Sequence, residues 1–427
     1  MGSRSPRRLV LSSLASPASL LALAALSTGF AACSGAPSSA SDERVAASTD
    51  GIIRGTQSDG AQDAVVLLVD VALGYACSGT LLAPNLVLTA RHCVSQLAGE
   101  GIRCDVNGVG GPESVTRADF APGAIFVFTG NKRPADSDIG SPAAKGAKII
   151  HDGAANLCNH DLALLLLDRK IPDAKIVPIR LDAPAILTDT ITAVGWGVTD
   201  TTAQPPMRMQ RTGVKIQALG PKNDSFAPVA PNDILVGEAF CQGDSGGPGF
   251  AESTGAVIGV VSHGGNGTGN TTVPWGNCVN DGSFTAHNFY TRVDTFKDLI
   301  IGAYQLAGQD PWLEGGPDPR LAHFGDACAV GADCQSNLCF TDKGSATCTS
   351  DCSTVACPDG FDCKADTAAG TKICKPHVAN PTTTTTTSGC AAAPSQDAPL
   401  AGLGWFGVGA FGIFAAARRR RASHRSR

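Results

Sequence analysis

Charged residues are scarce: Asp, Glu, Lys and Arg make up 17% of the 427 residues, with a net charge of −5. Such a thinly charged, mildly acidic chain excludes a general nucleic-acid binder, which needs clustered cations to neutralise phosphates. Helix-period apolar patterns are also rare, while 50 glycines break up short apolar runs. Together these exclude a helical bundle and favour an all-β body. The cysteine-dense stretch Cys328–Cys374 contains no Cys-x-x-Cys pair, which argues against zinc there. Hydrophobic residues, in contrast, reach 43%, enough for a sizeable core, and the length allows two or three domains. Sixteen cysteines point to disulfides and export from a reducing compartment.

The first 32 residues have the form of an export signal. Arg4, Arg7 and Arg8 precede the apolar run Leu9–Ala32. Phe30-Ala31-Ala32-Cys33 resembles a bacterial lipobox, in which Cys33 becomes a lipidated first residue; ordinary signal cleavage is the alternative. Residues 33–51 are small and polar, a propeptide or tether. The body is expected over 52–310, with strands at Ala64–Val71, Leu81–Thr89, Ala124–Thr129, Ile191–Val194 and Val257–Val261. Residues 99–141, rich in Gly and Pro, predict an enlarged surface loop. Val293, Phe296, Ile300 and Tyr304 fall on one face of a helix over Val293–Gln305.

Composition changes past Pro311. A small module over 320–378 holds eight cysteines and cannot build a large core, so cross-links must hold it together. It loosely resembles the EGF-like or knottin-like domains of secreted proteins, and its connectivity is open. A Thr-rich linker, 379–397, contains Thr382–Thr387 and Cys390. The last segment, 398–427, carries the apolar run Leu400–Ala417 followed by Arg418–Arg421. It resembles the sorting tails of exported bacterial proteins, particularly the myxobacterial kind with a cysteine before the span. Such a run just spans a bilayer, with the arginines kept on the cytoplasmic side.

The chemistry converges on Cys241-Gln242-Gly243-Asp244-Ser245-Gly246-Gly247-Pro248. Glycines around Ser245 let a substrate carbonyl approach main-chain N–H groups. A serine hydroxyl is a weak nucleophile, needing a base and donors for the charge it creates. Thr89-Ala90-Arg91-His92-Cys93 offers the base. Asn159-His160-Asp161-Leu162 offers a carboxylate leading an apolar strand.

These stretches resemble the nucleophile, histidine and aspartate elements of the trypsin/chymotrypsin family of serine proteases, in the family's order. The resemblance covers roughly residues 52–306 and implies two antiparallel six-stranded β-barrels closed by a C-terminal helix. It implies catalytic His92, Asp161 and Ser245, with the N–H groups of Gly243 and Ser245 as oxyanion hole. Ile52-Ile53-Arg54-Gly55 resembles the mature N-terminus, Arg54 standing where the family has its first glycine. Cleavage after Gly51 would then free Ile52 to pair with Asp244. Gly195-Trp196-Gly197 resembles the turn opening the second barrel. Val261-Ser262-His263-Gly264 resembles the substrate-pairing strand, with His263 as a cleft wall. Arg91 replaces an alanine and is expected to turn outward.

For substrate binding the resemblance implies Ala239 as pocket floor, with Ser262, Gly264 and Asn288 around it. That is an uncharged pocket, unless a one-residue shift brings Glu238 in and restores preference for Lys or Arg. The family pairs Cys77 with Cys93 and Cys241 with Cys278; Cys104 and Cys158, also in this region, could pair. Acyl transfer requires no metal or organic cofactor, and a structural calcium is left open. Expected partners are protein or peptide substrates, an activating protease, a tail-processing enzyme, and the membrane through the lipid, the tail or both. The competing reading is a non-catalytic homologue serving as an envelope adhesion protein.

Overall fold

In the computed structural model, residues 52–377 are described, apart from 100, 225–226 and 269–271. The signal, the tether with Cys33, the Thr-rich linker with Cys390, and Leu400–Ala417 lie outside the described residues. The chain divides into two compact units, one ending at Leu321 and the other beginning at Ala322.

The first unit contains two barrels. The first barrel comprises β1 (Val65–Asp70), β2 (Tyr75–Ala83), β3 (Leu86–Thr89), β4 (Ile125–Phe128), β5 (Ala144–Ile150) and β6 (Ala163–Leu167). It closes in the order β1-β2-β3-β6-β5-β4, every neighbouring pair antiparallel. The second comprises β7 (Thr190–Gly195), β8 (Met209–Leu219), β9 (Asp233–Val236), β10 (Pro248–Ala251), β11 (Val257–Gly265) and β12 (His287–Arg292). Its order β8-β7-β10-β11-β12-β9 closes through β8 and β9, giving the same ring order as the first barrel. Thr56–Gln57 adds an edge to β8.

The expected run Leu81–Thr89 is not one strand. It is split by a turn at Pro84-Asn85, where proline supplies no ladder donor and Asn85 Nδ2 donates to Ala307 O. The expected loop 99–141 is also more structured than its Gly and Pro content indicates. It contains the short strand Thr116–Asp119 as well as β4, and is pinned by Cys104–Cys158.

The helix forms where its period predicts. A 3-10 turn at Asp294–Phe296 leads into α1, Lys297–Ala307. Asp298 sits favourably in the first turn, and Gly308 ends the helix at φ +62°, a conformation glycine adopts without strain. Ile300, Ala303, Tyr304 and Ala307 join the core of the first barrel, not the second from which the helix emerges. The helix thus straps the barrels together.

The second unit has little apolar core, and its buried positions are mostly cystine. Hairpins β13–β14 (Cys339–Asp342, Ser345–Cys348) and β15–β16 (Phe361–Asp366, Thr371–Pro376) each carry two bridges. Cys328–Cys339 and Cys334–Cys348 interlock in the first; Cys352–Cys363 and Cys357–Cys374 repeat the pattern in the second. The module is therefore a tandem pair. In each quartet the first cysteine joins the third and the second joins the fourth.

Candidate active site

β3 is buried throughout and runs directly into a 3-10 turn at Arg91–Cys93. That turn presents His92, and the Cys77–Cys93 disulfide anchors it to β2. Asp161 leads the apolar strand β6 into the interior and is 2% exposed. Its Oδ2 accepts from His92 Nδ1 at 2.8 Å and from Ser262 Oγ at 2.6 Å; Oδ1 accepts the His92 backbone N–H at 3.0 Å. Burial opposes ionisation of Asp161, but His92, the Ser262 hydroxyl and the His92 N–H outweigh it and hold the carboxyl below its ordinary range.

Ser245 sits on a tight loop between Phe240 and β10. Gly246 there has φ +79°, and a Cβ on it would fall 2.1 Å from Thr89 Oγ1. Only glycine fits. Ser78, on β2, sews this loop to both barrels. Its N–H donates to Ser245 O at 2.8 Å, and its hydroxyl donates to Gly243 O at 2.9 Å while accepting from Trp196 N at 3.0 Å. Ser78 adjoins Cys77, whose cystine partner Cys93 adjoins His92, so the Ser245 loop and the His92 turn meet at one disulfide. Among the described residues, the N–H groups of Gly243 and Ser245 donate to no protein acceptor.

Asp244 is fully buried, its oxygens accepting from Gly197 N at 2.8 Å and Cys241 N at 3.0 Å. Burial pushes its carboxyl up to about 7, offset in part by those N–H groups and by Arg133. Ile52, also fully buried, packs in one cluster with Ala239, Phe240 and Tyr290.

A cleft of about 700 Å³ opens beside Ser245, walled by Ser262, His263, Gly264, Gln242, Phe240 and Asn288, with Tyr75 from β2. Ala239 does not reach it. Fully buried, it donates its N–H to Asn288 Oδ1 at 3.1 Å. Asn288 and Phe240 line the cleft in its place. Glu238 does not face the cleft either. It pairs with Arg54 at 3.0 Å and Arg211 at 3.7 Å and accepts Asn280 N at 2.6 Å.

Arg91 corrects an expectation. Its side chain is 4% exposed, turned inward against Asp152 at 3.6 Å and the Ala154 carbonyl. A carboxylate and a carbonyl outbid water for the guanidinium. Two participants had not been singled out in the sequence: Ser78, whose only signal is its place beside Cys77, and Asp233. Asp233 opens the otherwise apolar Asp233-Ile234-Leu235-Val236, an ionisable residue at the head of a buried strand.

The described cysteines are all paired. Cys77–Cys93, Cys104–Cys158 and Cys241–Cys278 lie in the first unit, beside the four bridges of the module. No helix among the described residues is long and apolar enough to cross a membrane.

Comparison with known proteins matches residues 52–300 to the family described as Trypsin. A trypsin of Saccharopolyspora erythraea is 26% identical over 234 residues, covering 53% of this chain and 85% of that protein. Phenoloxidase-activating factor 3 of Holotrichia diomphalia is 28% identical over 45% of this chain and 58% of its own length. Chymotrypsin of Phaedon cochleariae is 25% identical over 44% of this chain and 62% of its own. The match to the last two thus spans less than two thirds of each. Because the family match takes in more than half of the chain and both barrels, the protein belongs to the trypsin family of serine endopeptidases.

Proposed function

We propose that the protein is an exported serine endopeptidase that hydrolyses peptide bonds through Ser245, His92 and Asp161. The observation that carries this reading is the paired grip of His92 on Asp161, through Nδ1 and the backbone N–H, beside the Ser245 loop. A carboxylate on Nδ1 fixes the tautomer that leaves Nε2 free to accept a proton. Ser245 Oγ attacks the substrate carbonyl carbon and its proton passes to His92 Nε2. Asp161 stabilises the imidazolium. The uncommitted N–H groups of Gly243 and Ser245 receive the oxyanion, each worth about 3 kcal/mol in the transition state. The amine leaves with the proton from His92, and water, activated in the same way, releases the acyl group.

Cleavage before Ile52 is the proposed activation step, and two observations support it. Ile52 has φ +43°, a left-handed torsion that costs a β-branched residue about 1–3 kcal/mol. That torsion exists only while Gly51 is attached. Among the described residues no cation bonds directly to the buried Asp244, so a new α-ammonium would meet a carboxyl in need of one. Export is supported by the saturation of the described cysteines with disulfides. Tethering through Cys33 or the C-terminal segment is part of the same proposal, read from sequence alone.

The test is labelling by a fluorophosphonate. The processed protein should react and Ser245→Ala should not. Absence of labelling from protein whose N-terminus is Ile52 would refute the proposal. None of the described residues that line the cleft is a carboxylate, which supports uncharged side chains before the scissile bond.

A further inference from the structure

Ser262 stands between Asp161 and His263. Its hydroxyl lies 2.6 Å from Asp161 Oδ2 and 3.0 Å from Nδ1 of its neighbour His263. A serine carries one proton, and an ionised carboxylate only accepts. The proton therefore goes to Asp161, and Ser262 Oγ accepts from His263 Nδ1–H. This assigns the neutral tautomer of His263: Nδ1 holds the hydrogen and Nε2 is an acceptor. Stacking on Phe289, with centroids 4.6 Å apart and planes 10° apart, holds the ring in place.

Asp233 lies behind this ring, at the start of β9 and 2% exposed. Its Oδ2 has no hydrogen-bond partner among the described residues. One of its oxygens, a ring nitrogen of His263 and the sulfur of Cys104 lie within 4.8 Å of one another. Cys104 is locked in a disulfide, which removes it as a metal ligand. A buried, ionised, half-paired carboxylate is costly; a protonated one supplies a donor for an acceptor nitrogen. Burial, helped by the charge of Asp161 and opposed by the Ala230 backbone, pushes Asp233 up to about 8. Burial also pushes His263 down to about 4, with His92 adding to it and Asp161 opposing. Asp233 is thus a carboxylic acid at neutral pH, and His263 a neutral imidazole. The titratable groups acting here are Asp161, on both Asp233 and His263, and His92, on His263 alone, while Phe289 and the Cys104–Cys158 cystine present none.

We propose that Asp233 and His263 are positioning residues for the catalytic triad, forming with Ser262 a hydrogen-bonded chain that ends on Asp161. The chain runs from Asp233 O–H to His263 Nε2, directly or across one water. It continues from His263 Nδ1–H to Ser262 Oγ, and from Ser262 O–H to Asp161, where it meets the bond from His92. Every proton points toward Asp161. Ionising Asp233 removes the first donor and sets a second negative charge near Asp161. The favoured response is a tautomer flip of His263 toward Asp233, which draws the Ser262 proton away from Asp161. Asp161 then loses a bond that orients it, and the triad loosens as pH rises through the Asp233 titration.

This inference rests on the catalytic reading above, and one experiment separates the two. The second-order rate of fluorophosphonate labelling is measured against pH for the full chain processed to Ile52. Wild type, Asp233→Asn and His263→Phe are compared, with thermal unfolding as a check on folding. Wild type should lose rate on the order of three- to tenfold above about pH 8, the worth of one net hydrogen bond. Asp233→Asn keeps a donor that never titrates; loss of the Ile52 α-ammonium at high pH is common to all three proteins, so its ratio of rates at about pH 9 and about pH 7 should exceed that of wild type by roughly three- to tenfold. In His263→Phe the chain is cut; the alkaline decline should shrink by the same roughly three- to tenfold factor, and the acid limb should move upward as Asp161 regains basicity. An alkaline decline of unchanged position and depth in both folded variants would overturn the inference. If Asp233→Asn fails to fold, an unchanged profile in His263→Phe alone does so. No labelling of wild type at any pH would instead refute the catalytic reading.

Discussion

Glu238→Ala isolates what the Arg54–Glu238 pair contributes. The Glu238 side chain is 3% exposed, whereas Arg54 is 57% and Arg211 29% exposed. Removing one member of a buried pair usually costs about 3–5 kcal/mol, because the other charge is left dry. Here the surviving cations can be hydrated, so that penalty largely disappears. What is lost is the charge-assisted bond to Asn280 N at 2.6 Å, worth about 1.5–3 kcal/mol. Asn280 in turn holds Ala286 N at 2.7 Å, and Asn277 and Cys278 of the same loop line the cleft. A stability loss near 2 kcal/mol is therefore expected in urea unfolding, together with a rise in KM of roughly three- to tenfold as the loop loosens. The effect on kcat should be smaller, because no Glu238 atom reaches the triad. Glu238→Gln keeps an acceptor for Asn280 and should recover about half of the loss. If stability stayed within about 0.5 kcal/mol of wild type while cleavage after Lys or Arg disappeared, the carboxylate would be acting in the pocket and the argument would fail.

Three further outcomes are expected. Arg208 is fully buried and donates to Ser58, Asp59, Asp63, Val65 and Gly130, so Arg208→Met should cost at least about 3 kcal/mol in urea unfolding by stranding several acceptors; a loss under about 1 kcal/mol would contradict this. Asp244 titrates near 7 when folded and near 3.9 when unfolded. Between those values the folded state binds the extra proton, so precursor stability should fall as pH rises from about 4 to about 7; urea midpoints of uncleaved Ser245→Ala protein at both ends check the sign, and cleavage at Ile52 should flatten the slope. Asn288→Gly should uncover Ala239 and deepen the pocket, shifting a peptide-library profile toward larger side chains before the scissile bond, and an unchanged profile would remove Asn288 from the specificity surface.

What was legible in the sequence was local. The Ser245 loop requires glycine where φ is positive or a Cβ would collide, so its motif survives as contiguous letters. The helix was legible because Val293, Phe296, Ile300 and Tyr304 keep one period against one core. What escaped was settled by partners far along the chain. Arg91 turns inward because Asp152 waits for it, and Glu238 turns from the pocket because Arg54, near the start of the domain, claims it. Nothing near Asp233 in sequence hints at His263. The break at Pro84-Asn85 was hidden because its flanking residues are buried on both faces, making two strands resemble one apolar run.

The interlocked hairpins of the second unit have a consequence for a chain that carries its own peptidase. Within each quartet every peptide bond is spanned by at least one bridge, so a cut anywhere from Cys328 to Cys348, or from Cys352 to Cys374, releases nothing until the cystines are reduced. Between Cys328 and Cys374, only the joint Thr349-Ser350-Asp351 lacks such insurance. That joint is also sheltered: Thr349 is 3% exposed with its hydroxyl on Cys374 O at 2.5 Å, and Ser350 O accepts Cys374 N at 3.1 Å. A nicked module would run intact on a non-reducing gel and fall into pieces on a reducing one.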